Sequence, residues 1–173
     1  MKNTIYIYVI VIILIITAFV LPQEQSSVVH IDTDYILKKI PAYQDAQKEL
    51  ERLAQQYRQD IDGKIQEVDS LFKVYQENEV LMTPEMKNRM KQQIMKKDKE
   101  VKELQKKYFG PDGLLSKKRE ELMKPIMDNI YKVIKEMSEQ EHIDYVFDKT
   151  TGEILYANPL LDRSDIVLKR LGY

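Results

Sequence analysis

Two carboxylates one residue apart, Asp32 and Asp34, and the two histidines, His30 and His142, are the side chains of this sequence best suited to acid–base or metal chemistry. Their arrangement argues against it. Short metal motifs and nucleophilic triads need partners that the sequence does not supply near either histidine. The chain has no cysteine, which removes disulfides, thiolate metal sites and lipidated anchors. No glycine-rich phosphate loop is present. Asp32 and Thr33 have a simpler use, accepting the free amides of a helix start, and Glu141-His142 reads as a solvated helix end. The expectation is a non-enzyme with no catalytic residue, cofactor or metal. A softer chemistry is concentrated elsewhere: Met82, Met86, Met90 and Met95 are half of the eight methionines, and the first three recur every fourth residue. Unbranched thioethers adapt to irregular apolar partners, as a surface for many sequences requires. The structural alternative is that they close the end of a coiled coil. Tyr75 is grouped with them as a candidate contact; for it, as for Tyr57 and Tyr108, packing with the hydroxyl in water is the alternative.

Composition says what must position these residues. The chain is 43% hydrophobic and 32% charged, with 27 basic and 28 acidic side chains, so it is neither a polyelectrolyte nor a disordered chain. Five glycines, six prolines and abundant Lys, Glu, Gln and Leu suit long helices better than a turn-rich sandwich. Residues 1–22 stand apart. Lys2 precedes a nearly continuous apolar run from Ile5 to Leu21, an export signal that takes the chain out of the cytoplasm. The run is long for a signal-peptide core and short for a membrane helix, so cleavage and an uncleaved anchor both stay open.

Val28 to Ile31 has the length and branching of a short strand, followed by a capped helical turn; residues 28–40 form one part of a body. Pro41 opens a long helix whose apolar positions are Leu50, Leu53, Tyr57, Ile61, Ile65, Val68, Phe72 and Tyr75. This is a narrow coiled-coil seam that needs a partner helix. Thr83-Pro84-Glu85 starts that partner, with a return stripe of Met86, Met90, Ile94, Val101, Leu104 and Tyr108, weakened at Lys97 and Asp98. Residues 41–124 are thereby an antiparallel arm with its tip near 82–84. Gly110-Pro111-Asp112-Gly113 interrupts the return, and Pro125 marks where arm meets body. Residues 41–81 carry 5 basic and 9 acidic side chains, and 86–107 carry 9 and 3, which predicts charge pairing across the hairpin or an exposed basic face. Residues 125–173 complete the body: helix to about Gln140, a hairpin of Tyr145-Val146-Phe147 and Ile154-Leu155-Tyr156, and a last helix capped near Asp162 and stopped by Gly172. The fold class is α+β, a long helical hairpin on a small β-rich body. The apolar faces of Val29, Ile31, Val146, Phe147 and Leu155 exceed what a three-stranded sheet can cover, which marks them as a candidate interface between subunits.

This order of elements behind an export signal resembles the OmpH/Skp family of periplasmic chaperones. The similarity is carried by Val29-His30-Ile31-Asp32-Thr33 leading into Ile40-Pro41-Ala42-Tyr43, by Ala46-Gln47-Lys48-Glu49-Leu50, by Tyr145-Val146-Phe147-Asp148, and by Asp162-Arg163-Ser164 before Val167 and Leu171. The resemblance implies a homotrimer whose arms, or tentacles, enclose a cavity. It also implies a periplasmic holdase that binds unfolded outer-membrane proteins without ATP, for which Met82, Met86, Met90, Met95 and Tyr75, singled out above by their own chemistry, are the candidate client contacts. Contact with a membrane surface or lipopolysaccharide belongs to the same implication, and nucleic acid does not. The best-known members are strongly basic, whereas this chain has a sequence pI near 6.2, so net charge offers no basis for capture. The competing expectation is a coiled-coil spacer or adaptor, tethered to the inner membrane by residues 5–21, that binds one folded partner.

Overall fold

The computed structural model describes residues 26–152 and 154–173, so the leader expected over residues 1–22 lies outside the described residues. The chain runs through β1 (Val28–Ile31), α1 (Thr33–Lys39), α2 (Pro41–Asn78), a 3₁₀ turn (Glu79–Leu81), α3 (Pro84–Phe109) and α4 (Leu114–Glu141). It closes with β2 (Tyr145–Asp148), 3₁₀ turns at Lys149–Thr151 and Pro159–Leu161, and α5 (Ser164–Leu171). Local chemistry sets the boundaries. The Asp32 carboxylate accepts the Tyr35 amide at 2.8 Å to start α1, and proline opens both α2 and α3. Thr83 Oγ1 accepts the Met86 amide at 3.2 Å. Gly172, at φ 91°, ends α5 in the left-handed conformation that glycine adopts without strain.

The arm is α2 packed antiparallel on α3 and the start of α4. With 38 residues, α2 extends roughly 57 Å at ~1.5 Å per residue, too far for any one small core to cover. Its seam buries Ala46, Leu50, Ala54, Ile61 and Tyr75, with Leu53, Tyr57, Ile65 and Val68 half-buried. Phe72 corrects the expected seam: it is exposed, and Leu71 is the half-buried residue there. Ile61, Val68 and Tyr75 keep heptad spacing, and the intermediate inward position three residues after Val68 is Leu71. On the return, Val101 is buried and Met90, Ile94, Leu104 and Tyr108 are half-buried. The expected weak point at Lys97 is filled by charge, since its ammonium lies 3.1 Å from Glu67 across the arm and 3.6 Å from Glu100. Hydrogen bonds from Lys64 and Lys97 hold the Glu67 carboxyl below its ordinary range, and Glu67 raises Lys97. Among the described residues, ion pairs between the arms are confined to Lys97–Glu67 and Lys87–Glu79, the latter at 4.0 Å. The other ion pairs of the arm lie along single helices. Opposite arm charge is thus used sparingly across the hairpin.

The interruption at 110–113 is a hydrogen-bonded turn. The Gly110 amide donates to Lys106 O, the Gly113 amide to Gly110 O and the Lys117 amide to Gly113 O, at 2.9, 2.9 and 3.0 Å. Opposite it, Tyr57 stacks on Tyr108 with centroids 4.1 Å apart, Phe109 meets the Tyr57 ring edge-on, and the Tyr108 hydroxyl donates to Asp60. Pro125 lies inside α4, immediately before Ile126, the first buried residue of that helix.

The body core is helical. Ile126, Ile130, Val133 and Met137 of α4 pack with Ile36, Leu37 and Ile40, with Ala46 at the base of α2, with Val167 and Leu168 of α5, and with Ile31 of β1. The expected hairpin is corrected: β2 pairs in parallel with β1, placing Val29 beside Val146 and His30 beside Phe147. Ile154, Leu155 and Tyr156 form no strand. The reason is local, because Asp148 accepts the Thr150 amide at 3.0 Å and winds Lys149–Thr151 into a 3₁₀ turn instead of a tight strand reversal. The other side of β1 is taken by the strap that follows, through a parallel bridge between His30 and Asp162 and the Arg163 amide on His30 O at 2.9 Å. A body expected to be β-rich with three strands is instead mostly helical with a two-stranded parallel sheet.

Asp162 fastens that strap. It accepts the Ser164 hydroxyl at 2.6 Å and amide at 2.9 Å, while Ser164 Oγ accepts the Asp32 amide at 2.8 Å. The Lys149 ammonium stands 2.9 Å from Asp162 and 3.5 Å from Asp32. Burial opposes ionisation of Asp162, but the Ser164 hydrogen bonds and Lys149 outweigh it and hold the carboxyl at about 2.

Two outcomes follow from this packing. A Cβ on Gly113 would meet Tyr108 O at 2.7 Å and Gly110 backbone at 2.9 Å, whereas one on Gly63 meets nothing within 4 Å. Gly113→Ala is therefore expected to lose about 1–3 kcal/mol in urea unfolding and Gly63→Ala to gain about 0.5–1 kcal/mol. For Asp162 the folded value lies below the ordinary 3.8, so its contribution is present above pH ~4 and is lost as pH falls through about 2. Asp162→Asn is expected to cost on the order of 2 kcal/mol at neutral pH, with the difference from wild type closing between pH ~4 and ~2 in unfolding titrations.

Candidate functional site

Exposed apolar surface gathers at the two ends of the molecule. At the arm tip, α2 ends at Asn78 and α3 begins at Pro84, and among the described residues no third element covers the connection. Val80 is 93% exposed and Leu81 83%, in the 3₁₀ turn itself. Met86 and Met95 are exposed on the flank of α3, while Met82 and Met90 are half-buried at the edge of the seam. Of the five residues expected at this surface, Tyr75 alone is buried. Its hydroxyl donates to Glu79 at 2.8 Å and the Lys91 ammonium stands 5.7 Å from its ring centre, so it closes the end of the seam. A seam one residue wide can bury only the inward side of each helix. Side chains on its flank stay in water, and among the described residues Tyr75 is the last buried side chain before the tip.

At the other end, the body presents Phe147, 51% exposed, with Tyr145 beside it at a ring separation of 6.3 Å. Leu155 is wholly exposed, and Tyr156 and Leu160 nearly so. Of these, Phe147 and Tyr156 line a cleft of about 330 Å³ together with Val28, Val29, Ile154 and Leu161 among others. Of the five residues expected between subunits, Val29 and Ile31 are buried by their own chain, and Val146 is half-buried against the core. Phe147 and Leu155 are left as free apolar surface. The outer edge of β2 has no strand beside it among the described residues.

The polar candidates are structural. His30 is buried between β2 and the strap, with Nε2 3.0 Å from the Asn158 carbonyl and Nδ1 3.8 Å from Asp162. The carbonyl oxygen only accepts, so Nε2 carries the proton. Asp32 caps α1, and His142 is the exposed left-handed residue that ends α4. Among the described residues no three His, Cys, Asp or Glu side chains are grouped to hold a metal, and no helix is long and apolar enough to cross a membrane.

Val80, Leu81, Tyr156 and Leu160 are absent from the residues expected at these surfaces. A signal for the first pair is present in the sequence: Val80-Leu81-Met82 is an apolar run placed directly before the Thr83-Pro84 helix start, where a polar turn is the norm. Tyr156 and Leu160 carry no such signal, because their exposure depends on the strap not folding back as a strand.

Comparisons with known proteins agree with this architecture. A search of curated proteins finds no match. Among solved structures, a candidate outer membrane chaperone (OmpH-like) from Caulobacter crescentus CB15 aligns over 85% of this chain and 84% of its own, with a TM-score of 0.65 and 12% identity, a likeness of fold alone. Residues 27–171 match the family described as Outer membrane protein (OmpH-like), a span that takes in both strands, the whole arm and the strap. By that match the chain belongs to the OmpH-like outer membrane protein family.

Proposed function

We propose that this protein is an ATP-independent holdase of the periplasm that keeps unfolded outer-membrane proteins soluble between the arms of a homotrimer. The observation that carries the reading is the bare apolar tip. Val80 and Leu81 are almost fully exposed at the end of an arm that has no core to serve there, and a spacer between folded partners would gain nothing from them. Met86 and Met95 extend the same surface along α3 with side chains that adapt to varied sequences. Each contact is weak, and several arms around one client supply the retention. The free edge of β2 and the apolar strap around Leu155, Tyr156 and Leu160 support assembly, since such surface on a small body is covered in a stable oligomer. Among the described residues, Arg89, Lys96 and Lys106 on α3 form no ion pair. They are the residues through which an anionic membrane surface or lipopolysaccharide would be met.

Dilution of a urea-unfolded outer-membrane β-barrel into the protein is expected to show suppressed light scattering at near-stoichiometric trimer without nucleotide. A Val80→Gln/Leu81→Gln/Met86→Gln variant is expected to remain trimeric and to weaken capture by about tenfold. Capture at wild-type affinity by that variant places the client elsewhere. Phe147→Asp or Leu155→Asp is expected to give folded monomers in sedimentation velocity, and an unchanged trimer removes the body surface from the interface.

A further inference from the structure

With no cysteine in the chain, its most readily oxidised sulfur atoms are thioethers. The fold sorts them sharply. Met95 is 70% exposed and Met86 52% exposed, both on the tip-side half of α3, whereas Met137 is completely buried in the body core. Met82, Met90 and Met123 are half-buried. Met127, on α4, is exposed but belongs to the other end of the molecule. The neighbouring tip residues Val80 and Leu81 have no oxidisable atom, nor do the arm's seam residues Ile94 and Val101. Among the tip methionines Met86 and Met95 are therefore the most accessible to an oxidant, and both lie on the flank of the seam that holds the arm together.

We propose that Met86 and Met95 form an oxidant-sensitive modification site, through which a hydroperoxide lowers the capacity of the arm tip for apolar clients. The sulfur lone pair attacks the terminal oxygen of the hydroperoxide. A sulfur–oxygen bond forms as the oxygen–oxygen bond breaks, and the departing oxygen takes the electron pair and the proton, leaving as water or, from an organic hydroperoxide, as an alcohol. Sulfur is oxidised by two electrons and the peroxide reduced by two. The product is a polar sulfoxide in place of a flexible apolar group. At Met86 and Met95 that oxygen is solvated without disturbing the helix, so the arm stays folded while its client surface changes character. The same product at Met137 would place a polar group inside the core. Exposure also leaves both sulfoxides open to enzymatic reduction, which makes the change reversible. The functional consequence rests on the reading of the tip as the capture surface.

The test treats the full chain with hydrogen peroxide and follows each methionine by peptide mass spectrometry. Met86 and Met95 are expected to oxidise at least about tenfold faster than Met137, with the helical circular dichroism unchanged. Capture of an unfolded β-barrel is expected to weaken about tenfold and to return after treatment with methionine sulfoxide reductases. A Met86→Leu/Met95→Leu variant, compared with its own unoxidised form, is expected to lose the peroxide response. The proposal is overturned if Met86 and Met95 react no faster than Met137, if the oxidised protein captures as before, or if the Leu variant responds as the wild type does. An unoxidised Val80→Gln/Leu81→Gln variant separates the two levels. Wild-type capture by it removes the tip reading and this inference together, while weakened capture beside an indifferent oxidised protein removes the oxidation inference alone.

Discussion

The single seam between α2 and the returning α3 and α4 is the constraint on which the rest depends. A helix of 38 residues gains its stability from a packed face, and here that face is one residue wide. Tyr57 stacks on Tyr108 towards the base, the Lys97–Glu67 pair holds the middle where apolar residues give way to charge, and Tyr75 meets Lys91 towards the tip. Everything off this line meets water. An arm two helices thick can therefore reach far from its body only by leaving most of its surface solvated, and its apolar flank residues become available to something else. The tip follows from the same geometry, since beyond Tyr75 the seam has ended and the chain still carries Val80, Leu81 and Met82.

The body solves the opposite problem, joining distant segments of chain in one place. β1 sits between β2 and the strap, so residues near positions 30, 147 and 162 lie side by side. The Asp32, Lys149, Asp162 and Ser164 network ties these three segments with hydrogen bonds that each span more than a dozen residues of sequence. His30 is committed to the Asn158 carbonyl, and the two aspartates share one ammonium. The polar groups of the body hold the chain together, and its apolar groups divide between a helical core and the uncovered strap.

Elements governed by neighbours in sequence were legible in advance. Helix starts at Asp32, Pro41 and Thr83, the stop at Gly172 and the break at Gly110–Gly113 depend on caps and backbone freedom within a few residues. The exchange of Phe72 for Leu71 shows the limit of periodicity, because adjacent apolar residues both fit a stripe and only the partner helix selects between them. The hairpin expectation failed for a related reason. Ile154-Leu155-Tyr156 has strand composition, yet the Asp148 turn sends the chain away from β2, and the strand that β2 does pair with lies more than 100 positions earlier. The methionine cluster was legible as composition. Which of its members face water was not, since burial at a seam edge is decided by the rotation of two helices against each other.

The account centres on capture at the arm tips, and contact mapping tests that directly. A photoreactive side chain would be placed at Leu81, at the strap residue Leu160 and, as an outward control, at Arg58 on α2, each in the assembled protein loaded with an unfolded outer-membrane β-barrel. The account predicts crosslinks to the client from Leu81 and none from Arg58 or Leu160. Crosslinks absent from Leu81, with the client attached instead through the strap at Leu160, would contradict it.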